Sequence, residues 1–159
     1  MVSFLKINSD YLIPVIVIVV MILYIWWKQQ DVHHLKERFK NEKIIFKAHG
    51  TYFFGLQSEP GGLLRSSGQI FLFKDRIFYK GRFDNRELTI PKDKLMYIAI
   101  TDNHKGLPLY WKSLAFYFER DGKVERAAFM IPFSKQFVDA LKTYFEKDGR
   151  KIPIKEELW

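Results

Sequence analysis

Residues 114–131 read Leu-Ala-Phe-Tyr-Phe-Glu-Arg-Asp-Gly-Lys-Val-Glu-Arg-Ala-Ala-Phe-Met-Ile. Two runs rich in aromatic and small apolar residues flank Asp121-Gly122, a dipeptide that tolerates the positive φ angles of a two-residue hairpin turn. The stretch predicts strands over 114–119 and 123–131. Just beyond it, Ser134 is placed to cap a helix on which Phe137, Val138, Leu141, Tyr144 and Phe145 share one apolar face. The remaining tail, 148–159, carries Pro153 and mixed charge and is expected to be irregular.

Toward the amino terminus the strand signals continue. Residues 44–47 and 51–56 are short apolar runs, and 58–68 contains Pro60, Gly61, Gly62 and Gly68, which reads as a loop. Residues 69–73 and 77–80 are separated by Lys74-Asp75-Arg76, a hairpin-sized turn. Residues 81–86 read as a further turn. Strands over 87–90 and 95–101 are divided by Pro91-Lys92-Asp93, and 102–108 reads as a polar loop. Residues 28–43 hold Val32, Leu35 and Phe39 at helical spacing with no Gly or Pro, so a basic helix or linker is expected there.

Residues 11–27, Tyr-Leu-Ile-Pro-Val-Ile-Val-Ile-Val-Val-Met-Ile-Leu-Tyr-Ile-Trp-Trp, contain no charged and no amide side chain. Such a block predicts a single transmembrane helix, with Tyr11, Tyr24, Trp26, Trp27 and Lys28 at the membrane interfaces. A cleaved signal peptide would need a basic start and small residues at the cut. Here the start has Lys6 offset by Asp10, and the run ends in Trp-Trp-Lys-Gln-Gln. Lys6 stands alone on the amino side against Lys28, Lys36, Arg38, Lys40 and Lys43 on the other, which predicts a cytoplasmic carboxyl-terminal domain and an external segment 1–10.

The whole chain has 159 residues, a formal charge of +8 and no cysteine. The basic balance fits an anionic leaflet or nucleic acid, and the leaflet is the expected partner for a chain tethered to a bilayer. The lack of cysteine excludes disulfides, thiol nucleophiles and zinc–thiolate sites. No metal-ligand, nucleophile-elbow or paired-carboxylate motif appears. His104 near Asp102 is the one conceivable acid–base pair, and a loop hydrogen bond explains it better. The expectation is a chain without catalytic activity, cofactor, metal, nucleic acid or small-molecule substrate.

Strands in hairpin succession closed by one amphipathic helix resemble the pleckstrin-homology (PH) superfold, and more closely its GRAM-like and bacterial PH-like branch. The resemblance rests on Gly68-Gln69-Ile70-Phe71-Leu72-Phe73-Lys74-Asp75-Arg76-Ile77-Phe78-Tyr79, on Leu88-Thr89-Ile90-Pro91-Lys92-Asp93-Lys94-Leu95-Met96-Tyr97-Ile98, and on the hairpin about Asp121-Gly122. It covers 44–147. It implies a mainly β (α+β) domain, a partly open seven-strand barrel capped by a carboxyl-terminal helix, with Phe137 or Phe145 in place of a tryptophan common in that helix. It further implies a domain that binds phosphoinositides, peptides or proteins.

Two groups of residues are candidate sites. Lys74, Arg76, Lys80, Arg82 and Arg86 fall within thirteen positions. They read as a lipid-headgroup or phosphate site, or as ordinary charged outward positions of strands and turns. Leu63 and Leu64 at a loop tip, with Leu109, Tyr110 and Trp111, read as a partner contact, or as a flap over the barrel mouth. Together these readings predict a single-pass protein of the bacterial inner (plasma) membrane. Its cytoplasmic domain would serve as an adaptor or subunit of a membrane assembly, bound to a membrane protein or to its own copies. The alternative is a sensor of anionic lipid headgroups.

Overall fold

The computed structural model describes residues 9–158, and within the first helix the side chains of 12–24, 35, 37 and 38. The chain divides into a unit ending at Glu42 and a unit beginning at Lys43. The first is built on α1 (Ser9–Arg38), with Pro14 inside it. The expected transmembrane architecture is corrected here: among the described residues no helix is long and apolar enough to cross a membrane. Tyr24 is exposed. The side chains of Tyr11, Trp26, Trp27 and Lys28 lie outside the described residues, as do residues 1–8.

The second unit holds eight strands rather than the seven expected: β1 (Phe46–Leu56), β2 (Ser66–Leu72), β3 (Arg76–Gly81), β4 (Glu87–Pro91), β5 (Leu95–His104), β6 (Leu107–Arg120), β7 (Lys123–Met130) and β8 (Ile154–Glu157). They form one sheet in the order β4-β3-β2-β1-β7-β6-β5-β8. Strand β1 is the hinge of this order, pairing β2 on one side and β7 on the other, and its register shifts once on each side. Strands β4 and β5 follow one another in sequence yet do not pair, so the sheet is open between them.

Alternation along the strands sends one face into the main core. Phe53, Ile70, Leu72, Ile77, Tyr79, Phe116 and Phe129 meet there with Phe137, Leu141 and Phe145 of α2 (Ser134–Phe145). The last three recur at intervals of four, so they fall on one helical stripe. Phe53 stacks on Phe129 at 4.7 Å, and Phe116 meets Phe137 edge-on at 6.0 Å. Both phenylalanines named as fillers for the missing tryptophan are fully buried.

Four local elements differ from those expected. The expected loop 102–108 belongs to the hairpin between β5 and β6, which closes on Lys105-Gly106 with φ of 53° and 73°. The expected runs 44–47 and 51–56 merge from Phe46 onward into the long β1, with Ile44 and Ile45 ahead of it. The helix cap is Phe133, left-handed at φ 57°, with no side-chain cap bond, so Ser134 is the first helical residue rather than the cap. The tail expected to be irregular forms a turn of 3-10 helix at Glu146–Asp148, then β8, which runs parallel to β5.

Candidate functional site: an aromatic projection on the β5–β6 hairpin

The β5–β6 ladder is regular from Tyr97↔Tyr117 to Thr101↔Ser113, after one shift between Leu95 and Tyr97, and resumes at Asn103↔Pro108. Between these pairs β5 contributes Asp102 alone, while β6 contributes Leu109, Tyr110, Trp111 and Lys112. The surplus cannot lie in the ladder and is pushed out as an irregular bulge. Within it the side chains part company. Leu109 turns inward and is buried with Phe54 and Ala128, against which Leu63 and Met130 also pack. Tyr110 and Trp111 turn outward and are 81% and 58% exposed. Their rings meet edge-on at 6.1 Å, and the Arg65 guanidinium lies over Tyr110 at 5.4 Å. Leu64 and Leu107 are also exposed.

The base of the projection is braced from beneath. The Ser113 hydroxyl donates to the Trp111 carbonyl at 3.0 Å. The Thr101 hydroxyl accepts from the Asn103 N–H at 3.2 Å. Arg126 of β7 donates through Nη2 to Thr101 Oγ1 at 3.1 Å and to the Asn103 carbonyl at 2.9 Å. Its Nη1 donates to Nδ1 of His104 at 2.7 Å. That bond assigns the proton of His104 to Nε2, which lies 3.1 Å from the Gly55 carbonyl. His104 has no exposed surface. Burial first, and the Arg126 charge second, push its pKa down to about 4. His104 is thus a neutral brace between β1 and β7. Its ring nitrogens face Gly55 and Arg126 rather than Asp102.

The neighbouring 57–65 segment is fixed as well. The Ser58 hydroxyl and N–H both donate to the Glu125 carboxylate. Burial pushes that carboxyl's pKa up, but the bonds from Ser58 and from the Arg126 N–H outweigh it and hold the pKa below its ordinary range. The Lys105 ammonium donates to the Glu59 carbonyl at 2.7 Å, tying this segment to the β5–β6 turn. The five apolar residues expected to form a partner contact divide into two sets. Leu63 and Leu109 are structural, whereas Leu64, Tyr110 and Trp111 face outward.

The five basic residues are not brought together. Arg76 and Lys80 stand at opposite ends of β3, four residues or ~13 Å apart. Arg76 pairs with Asp75 at 3.0 Å and lies over Phe73 at 4.5 Å. Lys80 pairs with Glu87 at 3.1 Å. Arg86 lies 3.5 Å from Asp84 and 3.9 Å from Glu59. Arg82 and Lys74 are exposed in the turns at either end of β3. The open seam between β4 and β6 forms a cleft of about 480 Å³, floored by Phe53, Leu88 and Phe118. Its rim mixes Arg86, Lys94 and Arg120 with four acids, so no single sign of charge selects a ligand there.

No known protein family and no curated protein matches this chain. Solved structures do. The N-terminal PH domain of Vps36 is 20% identical, with a TM-score of 0.51 over 70% of this chain and 85% of that one. The hSac2 domain from human phosphoinositide phosphatase Sac2 is 11% identical, with a TM-score of 0.55 over 81% of this chain and 89% of the other. The C-terminal domain of an unknown protein from Leishmania infantum is 11% identical, with a TM-score of 0.51 over 72% and 97%. At these identities the likeness is one of fold: the second unit has a PH-like fold.

Proposed function

We propose that the PH-like unit is a protein-binding module and that the Tyr110–Trp111 projection is its contact surface. The observation that carries this reading is the pair of large aromatic side chains, 81% and 58% exposed, on a bulge whose base is cross-braced by buried and part-buried hydrogen bonds. Rigid aromatics lose little conformational freedom on binding, and Trp and Tyr are enriched among the residues that dominate interface energies. Support from the other candidate is weaker. The basic residues that would read an anionic headgroup are divided between the two ends of β3, and several already face acids.

The test is to replace Tyr110 and Trp111 together by Ala in the full chain and compare capture of cellular proteins with that by the native chain. The native chain is expected to retain a stoichiometric partner. The double variant, with unchanged circular dichroism, is expected to lose affinity at least tenfold, as for a hot spot of ~2 kcal/mol. A partner held equally by both chains, or a native chain that stays solitary at every concentration, rejects the assignment.

A further inference from the structure

The outer edge of β5 is covered over only part of its length. β5 runs from Leu95 to His104, and β8 pairs with it in parallel over four positions, Ile98↔Ile154 to Thr101↔Glu157. None of the four residues of β8 is buried. Ile154 is 36% exposed and Leu158, just beyond, is 43% exposed. The strand is therefore held by its backbone ladder and by two polar side chains rather than by apolar burial. Such an element opens at low free energy compared with the core. The tail upstream is better fixed: Ile152 is buried and its N–H donates to Glu146, while Arg150 donates to the carbonyls of Asp93 and Leu95. Opening would thus begin after Pro153.

What β8 docks against is a built surface. Tyr97 and Tyr117 stack at 4.2 Å, the Lys155 ammonium lies 4.0 Å from the Tyr97 ring centre, and the Tyr117 hydroxyl donates to Glu157 Oε2 at 2.7 Å. Beside Tyr117 lies Arg126, only 8% exposed. Its guanidinium bonds His104, Thr101 and Asn103, all neutral. Among the described residues, the one carboxylate within ion-pair distance is that of Glu157, at 3.8 Å. A buried cation without a counter-charge is costly, so whatever strand lies on this edge must bring an anion to that position.

We propose that the outer edge of β5 over Ile98–Thr101 is a second docking site, for an extended segment of another chain. That segment would carry a carboxylate opposite Thr101 and a cation two residues earlier, and the chain's own Ile154–Glu157 would occupy the site until displaced. Backbone pairing supplies affinity, while Tyr97, Tyr117 and Arg126 read the side chains. The site lies outside the Tyr110–Trp111 contact and stands or falls separately from it.

The test uses the full chain carrying Lys155→Ala and Glu157→Ala, and a labelled peptide of sequence Lys-Ile-Pro-Ile-Lys-Glu-Glu-Leu. The peptide is expected to bind the double variant at least tenfold more tightly than the native chain. A peptide with Gln in place of its second Glu is expected to lose at least tenfold on the double variant. Equal affinity for both chains, or indifference to that Gln, overturns the proposal. Should the double variant fail to fold, hydrogen exchange of the native chain decides. The Ile98–Thr101 amides that face β8 are expected to exchange well ahead of those of β6 and β7, and simultaneous exchange overturns the proposal. A native chain that elutes as a dimer with exchanged tails would also overturn it, by showing a second copy as the occupant.

Discussion

His104 shows how one buried side chain can set the pH response of the domain. In the unfolded chain its imidazole takes up a proton near the ordinary pKa of 6.5, whereas in the folded chain it stays neutral down to about pH 4. Between those values the unfolded state binds more protons, so stability falls as pH drops through the window and is fully present above 6.5. The full loss is on the order of 3 kcal/mol, reached only near the lower end. Glu125 acts in the same sense, because a carboxyl held below its ordinary range loses its stabilisation as pH falls through its folded pKa. Urea unfolding of the native chain between pH 7.5 and 4 is expected to show this slope. His104→Gln keeps one donor and one acceptor but cannot titrate. It is expected to lower stability at pH 7.5 and flatten the dependence below 6.5. An unchanged slope in that variant would assign the effect to other groups.

Among the elements, glycines in two hairpins separate two costs of the same substitution. Gly122 closes the β6–β7 turn at φ 73° with open space around it, so Gly122→Ala meets only backbone strain, ~1 kcal/mol. Gly68 lies in β2 opposite Gly81, and a Cβ there would stand 2.1 Å from the Lys80 carbonyl oxygen and 2.7 Å from the Tyr79 hydroxyl. That hydroxyl is committed to the Ser66 carbonyl at 2.7 Å, so it cannot simply swing away. Gly68→Ala is expected to cost about 3 kcal/mol or more, lowering the melting temperature by roughly 10 °C. Equal melting temperatures for the two variants would count against the close β2–β3 contact. The first of these elements was legible in the sequence, because Asp-Gly between alternating apolar runs is a local signal. The β5–β6 turn was not, since Lys105 gives no turn cue and Pro108 disguises the start of a strand. Nor was β8, whose pairing with β5 is parallel, distant in sequence and only four residues long. The site was half legible for the same reason. Composition drew attention to Leu63, Leu64, Leu109, Tyr110 and Trp111, but the bulge breaks the period of two that would tell inward from outward. The Arg126–His104 brace joins residues 22 apart in sequence and left no mark on either local pattern.

For the molecule as a whole, the charge of +8 and its placement lead to different expectations about lipid. Net charge alone draws any basic protein to an anionic surface, with a strength that salt screens over a Debye length of ~8 Å at physiological ionic strength. A headgroup site needs more, namely several cations converging on one phosphate group. Here Lys74 and Arg76 stand at one end of β3 and Lys80, Arg82 and Arg86 at the other. Arg76, Lys80 and Arg86 have carboxylates within 4 Å. The chain is therefore expected to respond to surface charge without distinguishing one anionic headgroup from another. Vesicles bearing phosphoinositide and vesicles bearing phosphatidylserine at matched charge density should sediment equal amounts of protein, and both should lose most of it when salt is raised. Single replacements of the five cations by Ala should each weaken sedimentation by a similar factor of less than about fivefold, as fits ~1 kcal/mol or less per surface charge. A tenfold preference for one headgroup at matched charge would overturn this expectation. So would one replacement, at Arg82 for example, that abolished binding while its neighbours did little. Either result would place a lipid site on the β3–β4 turn and leave the Tyr110–Trp111 projection to be explained on other grounds.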